Sequence, residues 1–518
     1  MSEFKLLVDT NIIIGLEDPQ PVQRSLAELV RLSAEHNVGL FVDGANYDDV
    51  SRDTDSARRT VTLSKLEKFQ RLRGIPVSNA PELVARFGPV NSENDRSDVR
   101  LLAALDAKAV DFLVTEDIGL HRRADRAGFA SSVLTADEAL EWIKQTYRQK
   151  SVPLPYIVER KAYEISRDNT VFASLREDYP GFDEWFDKCR QQHRDCWVLE
   201  IGDEIAGLIV RKNETHTEAN TLHPGPKILK ICTFKVCNEF LGEKFGELLL
   251  KQVLWFAQHN EYDVAYLTVF PKHAFLVDLL AYYGFLQTKT MPNGELMMEK
   301  IITKGPLPSV VRKVFEFDRL NYPRFLDGET VRKFCVPIQP DYHRRLFPEI
   351  AFGAELPLFP RQAFGLMLDH GQERTPGNTI RKVYLSRAKI TRLQSGDLLF
   401  FYMSKDERYD ASQSITTVGV VEQVIDVVLS DDLIRLTAKR SVFSAEELRK
   451  MNASETSPVK MIDFLLVGHS DPPVHLDTLV RDGIFSGRPP QSIAELRGEQ
   501  YRRLRRHIRL GFEHSFNG

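Results

Sequence analysis

The chain has 518 residues, of which 42% are hydrophobic and 27% are charged, and its net charge is −4. This near balance excludes a uniformly basic polyanion-binding protein, so any contact with nucleic acid must use local patches. The length predicts about three domains. No apolar run approaches the roughly 18 residues of a membrane helix. Five cysteines without CxxC spacing, and a start that lacks the features of a secretory signal, predict a reduced, cytoplasmic protein.

Aspartates near the start of the chain are the first candidates for a functional site. Asp9 ends the apolar run FKLLVD, and Asp117 follows the strand-like run DFLVTED. Because open α/β sheets bind ligands beyond the carboxyl ends of their strands, we expect these carboxylates to meet there. Their repulsion would be relieved by a cation such as Mg²⁺ or Mn²⁺, which binds carboxylate oxygens. Each aspartate taken alone is more typical of a helix N-cap.

Residues 1–148 resemble a PIN-domain ribonuclease. The resemblance lies in VDTNIIIGLED, in SDVRLLAALDAKAVDFLVTED and in the trailing VLTADEAL. It implies a parallel α/β/α sheet with Asp9, Asp98 and Asp117 as metal ligands and catalytic residues.

The family also has a second acid between the first and third. Asp49, in NYDDV, matches it best, and Asp48 and Asp53 are the alternatives. Thr10, in the D-T-N signature, is the implied supporting hydroxyl. The resemblance thus implies a catalytic set of Asp9, Thr10, Asp49, Asp98 and Asp117.

Proline-containing breaks divide the rest of the chain. RQKSVPLPY, around Ser151–Pro155, follows a helical pattern that ends near Arg148, and ITKGPLPSVV opens a second break near Lys304. We therefore predict four segments, with 1–148, 152–303 and 331–518 as domains and 304–330 as a connector.

Residues 152–303 alternate strands and helices. CWVLEIGDEIAGLIVRK predicts a hairpin that turns at Gly202-Asp203, and KILKICTFKV predicts a further strand. The turn EFLGEKFGELLL then leads into an amphipathic helix. A strand, a glycine-containing turn and a helix N-terminus together present backbone amides to a phosphate.

This segment resembles a GNAT acetyltransferase, in which such a turn holds the pyrophosphate of acetyl-CoA and the preceding strand pairs with pantetheine. The resemblance implies an α+β fold with a mixed sheet and acetyl-CoA as cofactor. The implied cofactor-binding residues are Phe234, Val236, Gly242, Glu243, Lys244, Phe245 and Gly246.

The chain departs from the GNAT pattern at several positions. Lys244 replaces the middle glycine of the turn, Leu280 stands at the position of the family's proton-donating tyrosine, and His273 replaces a common asparagine. Glu204 is a candidate base, although a glutamate in such a hairpin is more often solvated. The fold and cofactor site are therefore better indicated than the transferase activity.

From about Val331 the pattern is β-rich. GDLLFFYMSKD and ITTVGVVE predict adjacent strands of a small barrel, and AFGLMLDHG is a further strand candidate. With YLSRAKITRLQSGD, these runs resemble an ASCH/EVE domain of the PUA-like class, which implies a β-barrel whose side cleft binds RNA or a modified base. The candidate RNA-binding residues are Arg387, Lys389, Tyr402, Ser404 and Lys405. Phe400 and Phe401 are more typical of the core.

The three resemblances favour a metal-dependent endoribonuclease of PIN type, fused to a GNAT acetyl-CoA-binding domain and an RNA-binding PUA-like domain. Similarity to toxins of toxin–antitoxin systems implies structured RNA such as tRNA or rRNA as substrate. The candidate partners also include an antitoxin protein and a second copy of the chain. No membrane partner is expected. The first alternative is an N-acetyltransferase for an RNA-linked or protein amine, guided by the PIN part. The second is a non-enzymatic RNA-binding regulator.

Overall fold

The computed structural model describes residues 4–15, 23–75, 81–147, 156–202, 204–308, 311–353, 379–408 and 412–511. The predicted linker Ser151–Pro155, Asp203 of the predicted hairpin turn and the AFGLMLDHG strand lie outside these residues. The fold is multidomain α/β, with one parallel and two mixed sheets. None of the described helices has the length and apolar character needed to span a membrane.

The chain divides into two compact units. The first contains residues 1–149, 238–243 and 429–452, and the second contains 150–237, 244–428 and 453–518. Residues 238–243 and 429–452 thus group with the N-terminal stretch, although the sequence pattern assigned them to the middle and last domains. The finer division into four segments stays a prediction.

The first unit is built on a parallel sheet, as predicted. Its strands are β1 (Lys5–Val8), β2 (Gly39–Val42), β3 (Gln70–Arg71), β4 (Phe112–Val114) and β5 (Val133–Leu134). They lie in the order β3-β2-β1-β4-β5, and all neighbours are parallel. Apolar side chains fill β1 and β4 because both faces of the sheet are covered by helices.

Eight helices of the described residues follow or precede these strands. They are α1 (Thr10–Gly15), α2 (Gln23–Glu35), α3 (Gly44–Ser51), α4 (Ser56–Leu66), α5 (Pro81–Phe87), α6 (Glu93–Asp106), α7 (Ile118–Arg126) and α8 (Ala136–Tyr147). Ser92 begins α6 with a capping box, in which its hydroxyl accepts from the Asp95 amide and Asp95 accepts from the Ser92 amide.

Residues 429–452 complete this unit at the amino end of β1. The Arg435 guanidinium lies 2.6 Å from the Asp111 carboxylate, whose other oxygen accepts from the amide of Lys5 at 2.8 Å. The Arg449 guanidinium lies 5.5 Å from the centre of the Phe4 ring. These contacts lie at the amino-terminal end of β1, whereas Asp9 follows its carboxyl-terminal end.

The second unit contains a seven-stranded mixed sheet. Its strands are β6 (Tyr156–Lys161), β7 (Asp195–Ile201), β8 (Glu204–Glu214), β9 (Ile228–Val236), β10 (Val264–Val269), β11 (Leu286–Thr290) and β12 (Leu296–Ile301). Its helices are α9 (Ala173–Asp178), α10 (Phe182–Gln191), α11 (His216–Ala219), α12 (Phe245–His259) and α13 (Ala274–Tyr282). The order is β11-β12-β10-β9-β8-β7-β6, and only β9 and β10 are parallel.

A six-stranded sheet follows in the same unit. Its strands are β13 (Lys333–Ile338), β14 (Arg381–Ser386), β15 (Leu398–Met403), β16 (Ser414–Val427), β17 (Val459–His475) and β18 (Ala494–Glu495). The remaining helices are α14 (Val314–Leu320), α15 (Pro340–Leu346), α16 (Pro348–Gly353), α17 (Ser430–Thr437), α18 (Ala445–Lys450), α19 (Leu476–Arg481) and α20 (Gly498–Arg505). Of these, α17 and α18 belong to the first unit.

The described strands of this sheet do not show the closed barrel that the sequence predicted. The described strands lie in the order β14-β17-β16-β15-β13-β18, so their pairing leaves β14 and β18 as edges. The sheet curls enough for the Tyr384 hydroxyl of β14 to donate to the carbonyl oxygen of Pro337 in β13, at 3.1 Å. Both faces of β15 are buried, and Phe400 and Phe401 are core residues as predicted.

The prediction that Tyr402 is an exposed RNA-binding residue is wrong. Tyr402 is 2% exposed and packs against Phe485, with 5.8 Å between ring centres. Burial raises the pKa of its phenol to about 12. A strand with two buried faces has no solvent side for an aromatic ring to occupy.

Tyr402→Phe is expected to stabilise the protein by about 1 kcal/mol, because it removes a buried hydroxyl that has no hydrogen-bond partner in the described part of the chain. Urea unfolding measures this change. RNA affinity, measured by filter binding, should stay unchanged, and a loss of either quantity would contradict the core assignment.

Candidate functional site

The structure brings the four predicted aspartates of the first unit to one edge of its sheet. Asp9 follows β1 and Asp117 begins α7 after the neighbouring parallel strand β4, while Asp49 lies on α3 and Asp98 on α6. Burial, followed by the charges of Asp49 and Asp117, raises the pKa of Asp9 to about 6. Burial, followed by the charges of Asp117 and Asp9, raises the pKa of Asp98 to about 7.

The D-T-N signature forms a hydrogen-bond network around Asp9. One Asp9 oxygen accepts from the Thr10 amide at 2.6 Å, and the other accepts from Asn11 Nδ2 at 2.8 Å and from Thr115 Oγ1 at 2.6 Å. The Thr10 hydroxyl donates to Asp49 at 3.2 Å. The signature therefore holds the Asp9 carboxylate in one orientation.

The geometry distinguishes the three candidates for the second acid. Asp49 accepts from the Ser97 hydroxyl at 2.6 Å and from Arg52, and its charge raises the pKa of Asp9. Asp53 accepts from Arg58 Nη2 at 2.7 Å and is not among the charges that act on Asp9. The Asp48 side chain is 64% exposed and lies 3.5 Å from Arg100. Asp49 is thus the candidate that joins the cluster.

Sequence reasoning missed Asp43, which follows β2 just as Asp9 follows β1. Asp43 is 1% exposed, caps α3, and pairs with Arg100 Nε at 2.6 Å. The available signal was the run FVDG, in which an aspartate ends an apolar strand. Because Arg100 neutralises it, Asp43 is a structural residue at this edge.

The arrangement does not form a ready metal site. Within the described ranges, no group of three or more His, Cys, Asp or Glu side chains is arranged to hold a metal ion. Asp117 also acts as the N-cap of α7, since it accepts from the Leu120 amide at 3.0 Å. Asp98 accepts no hydrogen bond from a described residue, so it is the carboxylate most able to reorient.

Asp98→Asn is expected to make the protein less sensitive to pH. The wild-type pKa is about 7 when folded and 3.8 in the unfolded reference, so wild type loses stability as pH rises from about 4 to 7. At pH 8 the variant should therefore be more stable than wild type by about 2 kcal/mol, allowing for partial solvent exposure.

Urea unfolding at pH 4 and pH 8 measures this difference. Asp48→Asn is the matched control, since its exposed carboxylate should give no such change. Equal pH dependence in wild type and Asp98→Asn would show that Asp98 is not desolvated by its neighbours.

In the second unit, β9 and β10 separate along their length. They pair only over Ile228–Lys230 and Val264–Tyr266, although β9 continues to Val236 and β10 to Val269. The opposite edge of β9 stays paired with β8 as far as Val236. The backbone of β9 around Phe234 and Val236 therefore faces a widening gap instead of β10.

The N-terminus of α12 lies beside this gap. Lys244 precedes the helix in the left-handed conformation (φ 61°), and Phe245 is 3% exposed, so only its backbone is available to a ligand. A β-carbon added at Gly246 would lie 3.7 Å from Leu279 and 4.0 Å from Phe234. Gly246 thus faces the space between β9 and α13.

Gly242 and Glu243 do not share the surroundings of Gly246. They group with the first unit, and a β-carbon on Gly242 (φ 84°) would come within 2.7 Å of the backbone of Asp137. This packing alone requires glycine at position 242. The site in the second unit is therefore described by β9, β10, α12 and α13.

A tyrosine and a glutamate that sequence reasoning missed lie at the end of β10. The Tyr179 hydroxyl donates to Glu295 at 2.7 Å, and its ring packs on Phe270, with 5.3 Å between centres. Phe270 directly follows β10, and Glu295 precedes Leu296, which pairs with Val269. Burial and the Glu295 carboxylate raise the pKa of Tyr179, so its hydroxyl stays protonated at neutral pH.

The other residues considered for proton transfer have different environments. Leu280 is fully buried, and the hydroxyl of Tyr283 donates to Glu247 at 3.3 Å. His273 lies 3.2 Å from Asp178, and Glu204 is an exposed hairpin residue. Tyr179 and Glu295 are thus the better-placed pair.

The remaining RNA-binding candidates lie at the surface of the second unit. Arg387 donates to the Ser457 hydroxyl at 3.0 Å, and Lys405 pairs with Glu407 at 3.4 Å. Lys389 is exposed and Ser404 is half-buried. Their contact with RNA stays a prediction.

No protein-family model matches the chain, and no curated protein matches it in sequence. The solved structures that match part of the chain include acetyltransferases of the GNAT family. Ard1 from Thermoplasma volcanium is 18% identical, with 29% of this chain and 99% of that chain covered and a TM-score of 0.24. A GNAT acetyltransferase from Streptococcus pneumoniae is 14% identical, with 29% and 99% covered and a TM-score of 0.23. A GNAT family acetyltransferase from Elizabethkingia anophelis, with acetyl-CoA bound, is 15% identical, with 28% and 97% covered and a TM-score of 0.21.

Proposed function

We propose that the second unit is an acyl-CoA-dependent N-acyltransferase. The observation that carries the proposal is the divergence of β9 from β10 beside the N-terminus of α12. An extended ligand with amide groups, such as pantetheine, can pair with the edge of β9 that β10 leaves. The amides at the start of α12 are suited to the pyrophosphate of the same ligand.

The reaction needs a proton donor and an acceptor near the thioester. Attack by an amine nitrogen on the thioester carbonyl forms a C–N bond and breaks the C–S bond, while the amine loses a proton and the thiolate gains one. Tyr179, held by Glu295 and protonated at neutral pH, is the candidate donor to the thiolate. Glu295 is the candidate proton acceptor for the amine.

The test uses the full chain and acetyl-CoA. We expect calorimetric titration to show binding of acetyl-CoA and of CoA. We also expect release of free thiol when peptide amines or aminoacyl-tRNA are added as acceptors. Absence of binding at millimolar acetyl-CoA would refute the proposal. Binding without thiol release from these acceptors would restrict the unit to cofactor sensing.

A second candidate function belongs to the first unit, namely Mg²⁺- or Mn²⁺-dependent cleavage of RNA. The observation that favours it is the mutual repulsion of Asp9, Asp98 and Asp117, which a cation would relieve. Binding would require side chains such as Asp98 to reorient from their present positions. When bound, such an ion supplies charge stabilisation and an activated water for phosphodiester hydrolysis.

A further inference from the structure

Four charged or polar side chains converge between α12 and the six-stranded sheet, within the second unit. They form the Lys382 cluster, which consists of Lys251 on α12, Glu349 on α16, Lys382 on β14 and His469 on β17. Lys251 Nζ donates to Glu349 Oε1 at 2.8 Å. Glu349 Oε2 and His469 Nε2 lie 4.0 Å apart.

Three atoms of this cluster have no hydrogen-bond partner among the described residues. They are Lys382 Nζ, Glu349 Oε2 and His469 Nε2. Lys382 is only 2% exposed, and burial lowers its pKa to about 7. A buried amino group without an acceptor is unfavourable whether or not it is charged. The side chains of Glu349 and His469 are 18% to 27% exposed, so the cluster lies close to the protein surface although its three unpaired atoms are buried.

The neighbouring charged groups are already occupied. Glu247 accepts from the Arg381 amide at 2.6 Å and from the Tyr283 hydroxyl at 3.3 Å. The Arg381 side chain donates to Glu422 at 2.9 Å. None of these groups hydrogen-bonds to Lys382, which leaves its amino group as a donor without an acceptor.

The unpaired atoms of Glu349 and His469 differ in charge. Nearby cations hold the pKa of Glu349 at about 2 despite burial, so its Oε2 is an ionised acceptor in need of a donor. Burial lowers the pKa of His469 to about 4, so its ring is neutral, and its Nδ1 lies 3.0 Å from the Thr417 hydroxyl. The Phe347 ring centre lies 5.8 Å from Lys382 Nζ and 6.0 Å from the His469 ring.

We propose that the Lys382 cluster binds the amide group of a small molecule. Lys382 donates to the amide oxygen, and Glu349 accepts from the amide N–H, so these two of the three unpaired atoms each receive the partner they lack. The ring of Phe347 offers an apolar wall to the planar group. The four residues of the cluster are different from those described around the acyl-CoA gap, and binding here does not depend on the proposed transferase activity.

Ligand-observed saturation-transfer NMR on the full chain tests the proposal, with N-methylacetamide as the amide probe and acetate as the anionic probe. We expect transfer to N-methylacetamide from wild type and at least a fivefold loss in both Lys382→Met and Glu349→Gln. Lys389→Met, which changes an exposed lysine, is the matched control and should behave as wild type.

Three results would overturn the proposal. The first is that wild type shows no transfer to N-methylacetamide. The second is that both variants retain this transfer. The third is transfer to acetate alone, with a dependence on Lys382 but not on Glu349. The last result would identify an anion site instead. If Glu349→Gln fails to fold by circular dichroism, Lys382→Met decides, since Lys382 has no hydrogen bond to lose.

Discussion

Gly246→Trp is expected to weaken binding of acetyl-CoA and CoA at least 30-fold, which corresponds to about 2 kcal/mol. Gly246 faces Phe234 on β9 and Leu279 on α13. A β-carbon added at Gly246 would lie 4.0 Å from Phe234 and 3.7 Å from Leu279. An indole at this position would fill the gap in which the ligand is proposed to lie. Calorimetric titration of the full chain gives the affinity directly.

Gly498→Trp is the matched control for this substitution. No atom lies within 4 Å of a β-carbon at Gly498, so the same bulky residue should be accommodated there without loss of CoA affinity. Unchanged affinity in Gly246→Trp, with wild-type melting temperature, would place any CoA site elsewhere.

Asp9→Asn is expected to reduce metal-dependent RNA cleavage by at least about 100-fold, if the first unit cleaves RNA as proposed. Asp9 is the most enclosed acid of the cluster, and two of its neighbours raise its pKa through their charge. Gel analysis of structured RNA, with Mg²⁺ or Mn²⁺ and with chelator, measures cleavage. Absence of cleavage by wild type with either metal would refute this candidate function.

Two variants separate loss of function from loss of structure. Asp98→Asn removes no hydrogen bond with a described residue, so it should fold normally while losing cleavage and metal-dependent thermal stabilisation. Asp48→Asn alters an exposed carboxylate and should leave both unchanged. A metal-dependent rise in melting temperature that Asp98→Asn retains would contradict a metal at this cluster.

The sequence predicted those features that depend on local patterns. The apolar run of β1 ends at Asp9, and the run of β4 is followed by Asp117, so two neighbouring strands place both acids at one edge. Similarly, the alternating pattern of KILKICTFKV became β9, and the turn after it led into α12. In each case the residues that carry the signal are adjacent in the chain.

Other features depend on contacts that leave no local pattern. Asp49, Asp48 and Asp53 lie close together in the chain, and only the structure shows that Asp49 accepts from the Thr10 hydroxyl. The partnership of Tyr179 and Glu295 joins positions that are 116 residues apart. Such pairs are set by tertiary packing, which cannot be read from the hydrophobic periodicity or the amino-acid composition of the sequence.

The first unit is completed by residues 429–452, which the ribosome makes long after the amino-terminal stretch. Arg435 and Arg449 cover Asp111 and Phe4 at the start of its sheet. A nascent polypeptide released before residue 452 would leave that edge uncovered, and so would a fragment cut at the apparent boundary near residue 148. The amino-terminal sheet thus acquires its full set of neighbours only after residue 452 has been synthesised.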